Sequence, residues 1–231
     1  TRLFGRMVGL LTATWLSWSL WHVIFSRTGL RAVSLPLFLA LAFYCLSRAI
    51  ARLGADSRDA PAQSGSREQW LWFALSGALL GLAQYTYSVA RFAQLAFMLA
   101  AALQLLTRRR TVRQLLAGFA LSGLIALLVF FPLGAYFVSH PDDFFERARE
   151  VSLFTAEGGQ PLSNTLASSA SATLGLFAVL GDRAWDRNLS GRPALDPVSY
   201  GLFLIGLVVV AWRWRSWSSQ MALSWFVVML L

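Results

Sequence analysis

The feature that most constrains this chain is a series of apolar runs about 20 residues long, such as "LAGFALSGLIALLVFFPLGAYFV". A helix rises 1.5 Å per residue, so a run of about 20 residues crosses a hydrocarbon layer roughly 30 Å thick. Backbone groups inside a bilayer must be satisfied within the protein, and a helix satisfies them within one segment. The sequence therefore predicts an all-α, polytopic transmembrane helical bundle.

Composition supports this class and argues against a soluble domain. Of 231 residues, 57% are hydrophobic and 13% are charged, against about 25% charged in soluble domains. The net charge is +9, and every basic residue is arginine. In a membrane protein such an excess is typical of basic cytoplasmic loops, so no nucleic-acid partner is predicted. The single cysteine, Cys45, excludes a disulfide within the chain.

About seven spans are predicted in one transmembrane domain covering 1–231. The last of them begins near 219, and because the sequence ends within its apolar run, we expect a fragment of a longer protein. Loops at 52–68 and 107–114 are predicted on one side, and a long loop at 139–196 on the other. The other six predicted spans are 6–25, 31–50, 69–88, 91–107, 114–138 and 197–212.

Arginine distribution predicts the orientation. If the N-terminus is cytoplasmic, the inner segments carry twelve arginines and three acids, and the outer segments carry eight of each. The whole excess of positive charge then lies inside, as the positive-inside rule requires. One or two helices on the outer surface are also predicted. The segment 162–180 is one of them as a surface or re-entrant helix; if it spans instead, the later loops exchange sides.

Arginines and tyrosines cluster at the outer ends of the predicted spans. Arginine is disfavoured on that side, and its planar fork of donors suits a phosphate. The alternative is that these arginines reach lipid head groups and the tyrosines belong to an aromatic belt. We call these residues the arginine–tyrosine set: Arg27, Arg31, Tyr85, Tyr87 and Arg91.

The outer loop contains the polar stretch "GDRAWDRNLSGRPALDP". Its charged residues, next to apolar spans, are typical either of a substrate surface or of a solvated linker whose last Asp-Pro begins the sixth span. We call its candidate residues the outer-loop set: Asp182, Arg183, Asn188, Arg192 and Asp196.

Other motifs indicate structure rather than chemistry. Gly77 and Gly81 form a GxxxG pattern, which predicts close helix packing. His22 and His140 lack the spacing of metal ligands, so no metal site is predicted within the chain. The chain contains no nucleophile elbow, phosphate-binding loop or dinucleotide fingerprint.

Five stretches, in order, resemble the bacterial membrane glycosyltransferases of family 39, which share the GT-C fold and are related to dolichyl-phosphate-mannose protein mannosyltransferases. The stretches are "RLFGR", "WHVIFSRTGLRA", "LGLAQYTYSVAR", "HPDDFFERAREVSLF" and "GDRAWDRNLSGRPALDP". The resemblance covers nearly the whole chain; each motif is loose, and their shared order carries it. It implies transfer of a sugar from a polyprenyl-phosphate donor to a lipid, glycan or protein acceptor, on the outer face of a bacterial inner membrane.

The resemblance also implies roles for the two residue sets. The arginine–tyrosine set would line the phosphate end of the donor, and the outer-loop set would contact substrate. The catalytic acid, often an Asp-Glu pair acting as base or as ligand of a divalent metal, is expected upstream of Thr1, so no residue of this chain is predicted to be catalytic. Two rivals remain: a transporter or flippase for an anionic lipid or metabolite, and a non-catalytic scaffold.

Overall fold

A computed structural model of the chain describes residues 4–19, 23, 34–55, 67–87, 90–107, 111–142, 171, 173–179, 181 and 191–230. Within these ranges the regular secondary structure is helical, with no strand, which confirms the all-α class. Residues 173–178 are also helical. The longer helices are α1 (Arg6–Trp18), α2 (Ser34–Ala55), α3 (Arg67–Ala83), α4 (Ala90–Thr107), α5 (Val112–Ser139), α6 (Pro197–Trp212) and α7 (Trp217–Leu230).

Three of the described helices are long and apolar enough to cross a membrane: α2 over Ser34–Leu53, α4 and α5. Each of the seven predicted spans contains a helix. However, α3, α6 and α7 have 17, 16 and 14 residues and do not reach the length of these three. The coarser prediction of apolar helices suited to a membrane therefore holds, and the number of crossings stays a prediction.

The helices belong to two compact units. The α2–α5 unit comprises residues 31–145, and the other unit comprises residues 1–30 and 146–231, with α1, α6 and α7. The prediction that 1–231 is a single transmembrane domain, with its loops at 52–68, 107–114 and 139–196, stays a prediction.

Within the α2–α5 unit, α3 packs closely against both α2 and α5. A side-chain carbon added at Gly77 would collide with the backbone of Ser122, and one added at Gly81 would lie 2.8 Å from the carbonyl oxygen of Ala126. The GxxxG prediction of close packing is thus confirmed. The Ser122 hydroxyl donates to the Phe73 carbonyl at 2.7 Å. Small residues and a buried hydroxyl hold this helix pair together where the lipid supplies no hydrophobic driving force.

In the other unit, α6 begins at an Asp-Pro pair. Asp196 is the N-cap, and its carboxylate accepts hydrogen bonds from the backbone amides of Val198 and Ser199 at 3.0 and 3.1 Å. Pro197 takes a first-turn position, where its missing N–H costs nothing. The indole N–H of Trp15 in α1 donates to the Ser199 hydroxyl at 2.9 Å. The start of α6 is therefore fixed both by its own cap and by α1.

The short helical segment before α6 is tied to the chain that leads into α6. The amides of Ala194 and Leu195 donate to the carbonyls of Leu176 and Phe177 at 2.9 and 3.0 Å. The ring of Phe177 also stacks on Phe203 of α6, with centroids 5.3 Å apart. Only residues 171, 173–179 and part of the flanking chain are described here. The interpretation of 162–180 as a surface or re-entrant helix stays a prediction.

Candidate anion-binding site

The connection between α3 and α4 is a series of tight turns. Helix α3 was predicted to continue to residue 88, but it ends at Ala83. The amides of Gln84, Tyr85 and Thr86 donate to carbonyls three residues earlier, and this tightening ends the α-helix. The Gln84 side-chain amide then donates to the carbonyl of Ala90 at 3.0 Å. The first residue of α4 is thereby fixed to the end of α3.

Arg91 lies in the first turn of α4 and contacts the end of α5. Its guanidinium carbon lies over the ring of Phe137, 5.2 Å from the centroid, and the side chain is half-buried. Such cation–π contacts contribute about 0.5–2 kcal/mol, depending on desolvation. A ring contact uses the face of the guanidinium, whereas its N–H donors lie in its plane. The contact with Phe137 therefore holds the Arg91 side chain against the end of α5.

Further aromatic residues continue this end of α5. The rings of Tyr136 and His140 stack with centroids 4.5 Å apart, and Tyr136 and Phe137 make an edge contact at 5.8 Å. The amide of His140 donates to the carbonyl of Tyr136 at 2.9 Å, which closes the helix. Sequence reasoning missed Phe137 as a partner of Arg91. Consecutive spans run in opposite directions, so the start of α4 with Arg91 and the end of α5 with Phe137 lie on the same side of the bundle. This was the only sequence signal that could have indicated the contact.

Tyr85 also contacts α5, but at a different position along the helix axis from Arg91. Its hydroxyl donates to the carbonyl of Val129 at 2.9 Å, in the turn before Pro132, which lies inside α5. Pro132 lacks the N–H that would bond the carbonyl of Leu128, the residue before Val129, so the helical hydrogen bonding of this turn is weakened and an external donor supports it. Val129 precedes Phe137 by two helical turns, about 12 Å along the axis. Tyr85 thus ties α3 to α5, and its predicted role in phosphate binding stays a prediction.

Several predicted residues cannot be placed relative to this site. Arg27, Arg31, Asp182, Arg183 and Asn188 lie outside the described residues. Tyr87 is described and half-buried, in the connection between α3 and α4.

Asp196 and Arg192 of the outer-loop set are both described, and both are exposed. The Asp196 carboxylate accepts from the Ser199 hydroxyl at 2.5 Å in addition to its two backbone donors. These bonds, first of all the one from the Ser199 side chain, hold the pKa of Asp196 below its ordinary value. Asp196 is therefore ionised at neutral pH and acts as a helix cap here. The contacts of Asp196 thus agree with the alternative in which Asp196 and Pro197 begin the sixth span. A role of Asp196 in substrate binding stays a prediction.

A second arginine–aromatic contact lies at the opposite end of the α2–α5 unit. The guanidinium of Arg48 lies 4.9 Å from the ring centroid of Trp72, and Arg52 forms an ion pair with Glu68. The last turns of α2 and the first turns of α3 therefore carry their own charge compensation.

The comparisons leave the family unassigned. No protein-family model, curated protein or solved structure matches the chain. Among the described residues, no three histidine, cysteine, aspartate or glutamate side chains come together as metal ligands. The resemblance to family 39 glycosyltransferases thus stays a prediction, and the site is defined by its geometry alone.

Proposed function

We propose that this chain is part of a membrane glycosyltransferase of the GT-C type, which transfers a sugar from a polyprenyl-phosphate donor to a lipid, glycan or protein acceptor. The observation that carries the proposal is the placement of Arg91, half-buried in the first turn of α4 and held against Phe137 at the end of α5. The order of the five family-like sequence stretches supports the same reaction class.

The chemistry requires a fixed positive charge at the departing group. As the sugar–phosphate bond breaks, negative charge develops on the polyprenyl phosphate, and donors already in place stabilise it without reorganising. Arg91 supplies such a donor, with Arg27, Arg31, Tyr85 and Tyr87 as its proposed neighbours. The general base, with any divalent metal, is assigned to acidic residues upstream of Thr1.

The proposed topology is a bacterial inner-membrane protein with about seven crossings in this chain and its N-terminus in the cytoplasm. Three helices of sufficient length and apolarity support a membrane location. The bias of arginines toward one set of loops supports the orientation. Arg91 would then face the extracytoplasmic side, where the donor sugar is transferred.

Substitution of Arg91 in the protein that includes the upstream segment tests the proposal. We expect Arg91→Gln to weaken undecaprenyl-phosphate binding by at least about tenfold, because a charge-assisted hydrogen bond contributes about 1.5–3 kcal/mol. Arg91→Lys keeps the charge but loses the planar fork, so an intermediate loss is expected. Arg113→Gln is the matched control, since Arg113 is exposed near the start of α5.

The readouts are donor affinity in nanodiscs and sugar transfer from a radiolabelled polyprenyl-phosphate sugar. Unchanged affinity and transfer in Arg91→Gln would contradict the phosphate role. Donor binding that depends on Arg91 without any transfer, in protein containing the upstream segment, would favour the transporter over the enzyme.

A further inference from the structure

We propose that the N-terminal ends of α3 and α5 together bind the head group of an anionic phospholipid, with the Gln69 side chain and the Thr111 hydroxyl as donors. The site lies at the start of α5, whereas Arg91 contacts the end of α5. Neither residue belongs to the sets predicted from the sequence. The inference therefore depends on neither Arg91 nor the proposed sugar transfer.

Helices α3 and α5 lie side by side and run in the same direction. A side-chain carbon added at Gly77 would meet the backbone of Ser122, and one added at Gly81 would lie 2.8 Å from the carbonyl oxygen of Ala126. In both pairs the residue numbers differ by 45, so the numbers rise together along the contact. The N-terminal ends of both helices, which carry partial positive charge, therefore lie at the same end of the α2–α5 unit.

This register brings Gln69 toward Thr111. Gln69 precedes Gly77 by two helical turns on the same face of α3, and the same offset places it opposite Gln114. Helical side chains lean toward the N-terminus, so the Gln69 amide is directed toward the level of Thr111. Thr111 is the N-cap of α5 and precedes the buried Leu115 by one turn on the face that packs against α3.

Both side chains carry buried polar atoms that are unpaired in the described part of the chain. Gln69 is fully buried, and neither its amide nitrogen nor its amide oxygen has a hydrogen-bond partner there. The Thr111 hydroxyl oxygen is also buried without a partner, and it does not cap α5. Buried polar groups are nearly always paired in native proteins, because an unpaired one costs free energy. Gln69 and Thr111 thus favour a ligand that accepts their hydrogen bonds.

The local charges favour an anion as that ligand. The first amides of α5 have no partner within the helix, and its first turn contains no acidic residue. Glu68 is the acidic residue in the first turn of α3, and Arg52 forms an ion pair with it. Two helix N-termini that point the same way bind anions and disfavour cations. The exposed Arg67, the first residue of α3, adds a positive charge at this end.

The position and the donors together indicate a phospholipid head group with hydroxyl groups. Helix α5 is long and apolar enough to cross a membrane, so its first turn lies at the level of lipid head groups. A phosphate diester accepts hydrogen bonds but has none to donate to the Gln69 oxygen, whereas the glycerol hydroxyls of phosphatidylglycerol donate them. Rotation about the side-chain bonds of Gln69 carries its amide from the helix contact toward the end of the helix pair, where the lipid is bound.

Two conservative substitutions remove the proposed donors. Gln69→Leu and Thr111→Val keep the side-chain size and leave no polar atom unpaired. Gln94→Leu in α4 is the control for the first, because the Gln94 amide donates to the Leu80 carbonyl. Thr107→Val is the control for the second, since the Thr107 hydroxyl donates to the Leu103 carbonyl of its own helix.

The experiment measures binding of phosphatidylglycerol and phosphatidylcholine to the purified protein in nanodiscs. Wild type should bind phosphatidylglycerol at least about tenfold more tightly, and Gln69→Leu should lose about tenfold of that affinity, because it removes a charge-assisted hydrogen bond. Thr111→Val should lose about threefold or more, while both controls bind as wild type.

Thermal unfolding supplies a second readout and shows that each variant is folded. Phosphatidylglycerol should raise the Tm of wild type above its value in phosphatidylcholine, because a ligand of the native state stabilises it. Gln69→Leu should abolish this increment without lowering the Tm in phosphatidylcholine, since the substitution removes two unpaired buried atoms.

Phosphatidylglycerol affinity that is equal in wild type, Gln69→Leu and Thr111→Val would overturn the site. Soluble glycerol phosphate, which carries a similar head group without acyl chains, should bind much more weakly than the lipid. If it binds as tightly and with the same dependence on Gln69, the assignment to a lipid is wrong. Sugar transfer and its dependence on Arg91 are measured separately, so failure of either proposal leaves the other standing.

Discussion

Gly77→Ala is expected to destabilise the α2–α5 unit although it adds a single methyl group. The added carbon would collide with the backbone of Ser122 in α5. A backbone atom cannot rotate away as a flexible side chain can, so α3 and α5 must separate. Their separation also lengthens the hydrogen bond from the Ser122 hydroxyl to the Phe73 carbonyl, which is buried.

The expected loss of stability follows from two destabilising contributions and one stabilising contribution. Overpacking of a closely packed contact costs about 1–3 kcal/mol, and loss of an interhelical hydrogen bond in a membrane protein costs about 0.6 kcal/mol on average. Alanine is a better helix former than glycine by about 1 kcal/mol, which offsets part of this cost. We therefore expect a net loss of about 2 kcal/mol, or roughly 4–8 °C in Tm for a chain of this size.

The assay is thermal unfolding in detergent or nanodiscs, with Gly123→Ala as the matched control. Gly123 lies one residue after Ser122 in α5, and a carbon added there meets no atom within 4 Å. The control gains helix propensity without a collision, so its Tm should equal or exceed that of wild type. A Gly77→Ala protein as stable as Gly123→Ala would refute the close approach of α3 and α5.

Three further substitutions test separate contacts. Tyr85→Phe removes the donor to the Val129 carbonyl and should lower the unfolding free energy by about 0.6 kcal/mol, measured by thermal unfolding; no change would mean that the hydroxyl is not bonded there. Phe137→Leu removes the ring beside Arg91 and should weaken undecaprenyl-phosphate binding by roughly threefold to tenfold; unchanged affinity would show that the ring does not orient Arg91. The lowered pKa of Asp196 means that its ionised form stabilises the fold above the unfolded-state pKa, and that this stabilisation is lost as pH falls below about 4. Asp196→Asn should therefore show a smaller drop in Tm between pH 6 and pH 3 than wild type, and an equal drop would contradict the capping role.

Short sequence motifs predicted those features of the structure that depend on residues close together in the chain. The GxxxG of Gly77 and Gly81 identified the close contact of α3, because small residues spaced four apart on one helix face let two backbones approach closely. Asp196 followed by Pro197 indicated the start of α6, since an N-cap acceptor and a first-turn proline are favoured there for independent reasons. Helix positions likewise followed from apolar runs of sufficient length.

Contacts between distant segments could not be predicted in this way. Phe137 belongs to an apolar run in which every large side chain is a candidate for lipid contact, so nothing local distinguishes it as the partner of Arg91. The bond from Tyr85 to Val129 uses a backbone carbonyl, which leaves no trace in side-chain identity. The early end of α3 at Ala83 was also missed. Gln84, Tyr85 and Thr86 are compatible with a last helical turn near the membrane surface, and the side-chain bonds of Gln84 to Ala90 and of Tyr85 to Val129 reach other helices.

The position of Arg91 follows from helix packing. Gly77 and Gly81 bring α3 close to α5, and the Gln84 amide then fixes the first residue of α4 to the end of α3. Arg91 follows that residue directly, so its placement depends on both contacts. A site held by its scaffold before ligand binds loses little conformational freedom on binding, which favours affinity for an anionic head group. Stability experiments on Gly77 and lipid-binding experiments on Arg91 therefore examine two consequences of one arrangement: the tight packing of α3 against α5, and the placement of Arg91 at the start of α4.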